Sequence, residues 1–196
     1  MTAWDYIAWA LTCVFGGIFP ARTALYFLAP AKGRVRWIAP YLVIGAALSM
    51  PTWAGDGNPL YYFPFLIAAF LIGYGGRPAA RLVVGMIFFE WIIAWSMIVD
   101  TRAVLPGSGD YWGAMAWKFV LWAAVWLLMR RVFRDGRQVA LSGRLWALLG
   151  LLALSPLLSE LAFSMWDIRA YTLDGTDEMI DAAFYTLLPF VFVSAI

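Results

Sequence analysis

The sequence predicts an all-α protein, a polytopic bundle of about seven transmembrane helices with its amino terminus outside. Two observations carry this expectation. First, 64% of the 196 residues are apolar and 13% are charged, with a mean hydropathy of +0.78, far from the balance of a water-soluble domain. Second, the basic residues fall on alternate connections between apolar stretches: Lys32, Arg34 and Arg36; then Arg77 and Arg81; then Arg130, Arg131, Arg134, Arg137 and Arg144. The intervening connections carry Asp56, then Asp100 and Asp110 beside Arg102, then Asp167, Asp174, Asp177, Glu178 and Asp181 beside Arg169. Lys and Arg are retained in the cytoplasm during insertion, so the basic connections are expected inside, and the acidic ones and the amino terminus outside. Charges divided between two faces form no single basic patch, which argues against a nucleic-acid partner.

The segments follow in order. Ala3 to Ala29 has no basic residue before it, carries Asp5, and exceeds the apolar stretch of a secretory signal, so it is expected to span. It holds the single Cys13, which can form no intrachain disulfide and reads as a small apolar residue. Trp37 to Trp53 and Leu60 to Tyr74 fall short of the roughly twenty residues a span needs, and predict a tight hairpin whose mismatch is absorbed by partners or a thinned bilayer. Leu82 to Val99, Trp112 to Met129 and Leu145 to Met165 are longer candidates. Ala182 to Ile196 stops after about fifteen residues, still apolar and without a basic anchor, which leads us to expect a cytoplasmic continuation. Trp4, Trp37, Trp53, Trp112, Trp146 and Trp166 fall at proposed ends, where an amphipathic indole prefers the headgroup region. Without linker, low-complexity tract or internal repeat, residues 1–196 read as a single domain.

Composition also removes chemistry. The sequence has no His, which excludes Ser-His and Cys-His nucleophiles, His-ligated zinc or haem, and a phosphohistidine acceptor within these residues. There is no Walker loop, and Gly107-Ser-Gly-Asp-Tyr-Trp-Gly113 reads as a turn in an outer connection rather than a nucleotide fingerprint. Every Asp is expected in a loop or at a span end, so an intramembrane aspartyl dyad is not expected. No catalytic residue, metal site or cofactor of this chain follows from the sequence.

Four ionisable residues do fall within expected spans: Arg22, Glu90, Lys118 and Glu160. A charge in hydrocarbon costs about 3 kcal/mol or more, so such groups turn inward and pair. At ~1.5 Å per residue, Arg22 and Glu90 match at roughly 12 Å from the inner ends, and Lys118 and Glu160 at roughly 8 Å from the outer ends. Arg22 with Glu90 and Lys118 with Glu160 are therefore the expected pairs. They either hold the bundle together, with the longer side chains free to snorkel, or, for the outer pair, sense a ligand. Trp95, Trp122, Met115 and Trp166 lie at a depth where they could build an aromatic and polar pocket around Lys118 and Glu160, although Trp91 with Trp95 and Trp122 with Trp126 also suit packing or lipid contact. Pro20, Pro64, Pro156 and Pro189 interrupt four spans, and Pro189 makes a bend available in the last one, as a signal-transmission element would need.

A first span ending in Lys32-Gly-Arg-Val-Arg36, a third leaving through Phe70-Leu-Ile-Gly-Tyr-Gly-Gly-Arg77, a fourth opening Arg81-Leu-Val-Val-Gly-Met-Ile-Phe-Phe89 and a last span containing Leu187-Leu-Pro-Phe190 together set a pattern. It resembles the membrane input domain of sensor histidine kinases with a GHKL-type ATPase, the AgrC-like peptide receptors. The resemblance covers the whole chain and rests on span order rather than an invariant motif. It implies a multi-pass protein of a bacterial-type plasma membrane, surrounded by lipid, that detects an extracellular ligand of peptide class. It also implies a homodimer whose last span leads to a cytoplasmic module using ATP and Mg and addressing a response regulator. Two other classes stay open: a vitamin-type substrate-binding subunit of a transporter, similar in size but usually six-spanned, and a structural membrane protein without a ligand.

Overall fold

The computed structural model describes residues 3–50, 52, 58–103, 111–133 and 141–165. They form seven helices and one minimal strand pair: α1 (Ala3–Phe15), α2 (Ile18–Ala24), β1 (Ala29–Pro30), α3 (Arg34–Ser49), α4 (Asn58–Gly73), β2 (Tyr74–Gly75), α5 (Pro78–Ala103), α6 (Tyr111–Val132) and α7 (Gly143–Met165). The fold is all-α in substance, and each of the first six expected segments is helical. Among the described residues three stretches are long and apolar enough to cross a membrane: Ala3–Ala24, Pro78–Ser96 and Trp112–Val132. The last expected span, with Pro189, lies outside the described residues.

The first segment is one apolar path in two pieces. Its helix stops at Phe15 and restarts at Ile18; Pro20, which has no N–H to give the Gly16 carbonyl, sits in the first turn of the new helix, where that loss costs least. The break also lets backbones meet: a methyl group added at Gly17 would overlap the Tyr41 carbonyl, and one at Gly45 would overlap the Cys13 carbonyl. Alternating glycine contacts thus seat α1 and α2 directly on α3, the packing used by helices that have little hydrophobic drive for association in lipid.

Around this seam, α3 packs on α4, α4 on α5, and α5 on both α6 and α7, while α6 closes the bundle against α1 and α2. The core follows an aromatic file. Tyr74 lies 5.0 Å from Phe70, Phe70 lies 5.4 Å from Phe88, and Phe88 stacks on Trp122 at 5.7 Å, with Trp91 5.9 Å from Trp122. Outside the core, Tyr61, Phe65, Trp117, Leu128 and Leu151 are exposed, more large apolar surface than a soluble domain leaves in water and the kind that lipid covers.

The two ends of the bundle are tied differently. At one, the ladder pairs Ala29 with Gly75 and Pro30 with Tyr74 in antiparallel register, and the Tyr74 hydroxyl donates to the Ala21 carbonyl at 2.8 Å. Arg81 donates to the Leu71 and Tyr74 carbonyls there, satisfying acceptors that the end of α4 leaves open. This end gathers Lys32, Arg36, Arg77 and Arg81. The opposite end joins the C-termini of α3 and α5 to the N-terminal half of α6, and its tie is a charge pair.

Candidate functional site

The sequence placed Asp100 in an outer connection, and the structure corrects this. The α5 helix runs on to Ala103, so Asp100 is helical and fully buried, at 0% exposure. Lys118, at 1% exposure, donates from Nζ to Asp100 Oδ2 at 2.8 Å. The same ammonium donates to the carbonyls of Leu48 at 3.1 Å and Met50 at 3.3 Å, so all three of its protons are used. Those carbonyls close α3, whose C-terminal dipole favours a cation. Asp100 Oδ2 also accepts from the Thr52 backbone N–H at 2.7 Å, while Oδ1 is buried without a hydrogen-bond partner among the described residues. One lysine therefore fastens α3, α5 and α6 where the sequence alone offered a pair between α6 and α7.

Beside this cluster runs a groove of about 420 Å³ between α1, α3 and α6, lined by Thr12, Phe15, Gly16, Leu48, Met115 and Lys118 among others. It reaches from the break in the first helix to the buried ammonium, and apart from Lys118 and Thr12 its lining is apolar or backbone. Thr12 turns its hydroxyl onto the Ala8 carbonyl at 2.9 Å, so this polar group is spent within its own helix. Nearby, Cys13 approaches Ser49, Sγ to Oγ 3.2 Å, and Ser49 donates to the Ala46 carbonyl at 2.7 Å, which reinforces the α1 to α3 contact.

The expected site residues are distributed as follows. Lys118 and Met115 share the groove wall. Trp122, one turn further along α6, is instead fully buried in the aromatic file, and Trp95 packs half-buried against the same core. Glu160 belongs to α7, but its side chain, like the whole of Trp166, lies outside the described residues. Glu90 is buried in α5 at 6% exposure, whereas Arg22 is exposed on α2. Asp100 and Thr52 were missed. A usable signal existed: Ser96 and Asp100 are four residues apart, one face of a helix that simply continues for another turn, and both are buried.

Chemically, a buried carboxylate and ammonium already joined to each other, with no third titratable group among the described residues at hydrogen-bond distance, suit binding and positioning rather than proton-transfer catalysis. Among the described residues no group of three or more His, Cys, Asp or Glu could hold a metal ion. The chain matches no protein-family profile, no curated protein and no solved structure.

Proposed function

We propose that this chain is the sensing domain of a membrane-bound two-component histidine kinase, receiving an extracellular ligand and passing the signal to a cytoplasmic kinase. The observation that carries the sensing part is the fully buried Lys118–Asp100 pair beside an apolar groove at the end opposite the basic ladder. A buried pair costs desolvation, so a bundle gains little stability from it that apolar residues could not supply; a switch, in contrast, gains a contact that a ligand can compete for. Of the pair only Lys118 lines the groove; once a ligand opens the pair, the fully buried Asp100 Oδ1 is an acceptor that an amine or peptide N–H fits.

In this reading the chain has seven spans with its amino terminus outside a bacterial-type plasma membrane, works as a homodimer, and moves its last span about Pro189. Kinase chemistry, with ATP and Mg, and contact with a response regulator belong to a module beyond these residues. The coding sequence after Ile196 tests that part: a helix bearing the phosphoacceptor His and an Asn-rich ATP site is expected, and a stop codon would remove the kinase. Pro189→Ala tests transmission. It should alter basal kinase output at normal abundance, and unchanged output would leave Pro189 without a role.

A second reading is favoured by one feature, the broken first helix lining the groove. Discontinuous helices often frame substrate sites in transporters, which fits a vitamin-type substrate-binding subunit. Copurification with an ATPase pair, rather than autophosphorylation, would select it.

A further inference from the structure

We infer that the cavity at the basic end of the bundle binds a phosphate group, that of an anionic lipid headgroup. This rests on the chain lying in a membrane and not on its being a sensor. The cavity, about 380 Å³, is lined by Leu28, Gly75, Arg77, Ser142, Gly143 and Trp146 among others. Unlike the groove beside Lys118, it is two-sided: Phe27, Leu28 and Trp146 give it an apolar wall, and Arg77, Ser142 and exposed backbone give it a polar one.

Among the described residues the polar wall carries a positive charge and no negative one. Arg77 is exposed, and its Nη1 lies 4.0 Å from the point that a Cβ on Gly143 would occupy. Gly143 opens the 23-residue α7, and Arg77 immediately precedes Pro78, which opens the 26-residue α5. The guanidinium therefore stands near the positive end of α7, the wrong end for a cation, on a residue that itself leads into α5, and neither helix has an acidic residue in its first turn to offset it. Arg144 adds a further charge next along α7, while Arg81 is already occupied by the carbonyls of α4. Among the described residues no carboxylate lines the cavity. An anion between Arg77 and the start of α7 removes this repulsion and can take both guanidinium and backbone donors, as phosphate does. The apolar wall decides the source: it suits the glycerol and first acyl carbons of a lipid and gives a free ion nothing.

The test uses the whole chain purified in detergent and exchanged into equal amounts of phosphatidylglycerol and phosphatidylcholine, with retained lipid read by native mass spectrometry. Wild-type protein should retain phosphatidylglycerol preferentially. R77Q, which removes charge-assisted hydrogen bonds, should lower that preference about tenfold, and R131Q, on α6 outside the cavity, should not. G143E is the second variant. A carboxylate at the start of α7 suits the helix and reaches Arg77, so the unfolding midpoint should rise while the preference is lost. A second arm titrates inorganic phosphate and follows the unfolding midpoint. A rise that depends on Arg77, without any lipid preference, would keep the phosphate chemistry but overturn the lipid as its source. Equal lipid retention by wild type, R77Q and G143E would overturn the site.

Discussion

Replacing Lys118 by Met removes the cation that joins three helices, and the structure sets the size of the effect. Asp100 would keep only the Thr52 N–H, so a carboxylate at 0% exposure would lose its counter-charge, a loss of about 3–5 kcal/mol. The reverse change is milder. In Asp100→Leu the ammonium still reaches the Leu48 and Met50 carbonyls at 3.1 and 3.3 Å and the α3 dipole, so the loss is that of one charge-assisted bond, about 1.5–3 kcal/mol. The double variant K118M/D100L leaves no buried charge but orphans two carbonyls and the Thr52 N–H. It should recover only part of the loss, with a coupling energy of about 2–3 kcal/mol. Equilibrium unfolding in mixed micelles, followed by circular dichroism, measures all three variants. Coupling below about 0.5 kcal/mol would refute the pair, and the same cycle run with Glu160 would then show whether that residue is the true partner. Equal costs for the two single variants would show that the α3 carbonyls do little.

Three further outcomes follow from the packing and the charge pattern. Gly45→Ala, whose methyl would overlap the Cys13 carbonyl, should destabilise by about 1–3 kcal/mol in the same assay, and a neutral result would contradict the close approach of α1 to α3. Trp122→Ala should cost about 3–5 kcal/mol as a core aromatic, whereas Trp112→Ala, at 43% exposure on the groove rim, should cost under about 1 kcal/mol; similar costs would mean that Trp122 is not the centre of the core. After Cys13 is replaced by Ser, cysteine at Gly57, Ser108 or Gly175 should react with an impermeant thiol reagent on intact cells, and cysteine at Gly33, Ala79 or Gly136 should not; labelling at Gly136 would invert the topology.

Much of the architecture was legible in the sequence because hydropathy and charge are properties of residues taken one at a time. Apolar runs long enough to become helices, an interruption near Pro20, and the gathering of Lys32, Arg36, Arg77 and Arg81 at one end need no knowledge of neighbours. Depth was legible too: counting along a helix gave Lys118 its height and marked it as a group that must be paired. What depth cannot give is the direction a side chain faces around its helix axis, and that is fixed only by packing. The glycine contacts of Gly17 and Gly45 bring α3 against the broken first helix, and this presents the end of α3 to Lys118. One more turn of α5 then carries Asp100 from an expected loop into the interior, where it meets a lysine 18 residues away that also reaches carbonyls 68 and 70 residues away. The same rotation sends Trp122 into the aromatic file instead of toward the groove, and leaves Arg22 exposed while Glu90 is buried. The sequence by itself determined which residues must be helical, apolar-facing or paired; the tertiary structure decided with whom, since a buried charge takes the nearest partner that packing brings within about 3 Å, whatever its distance along the chain.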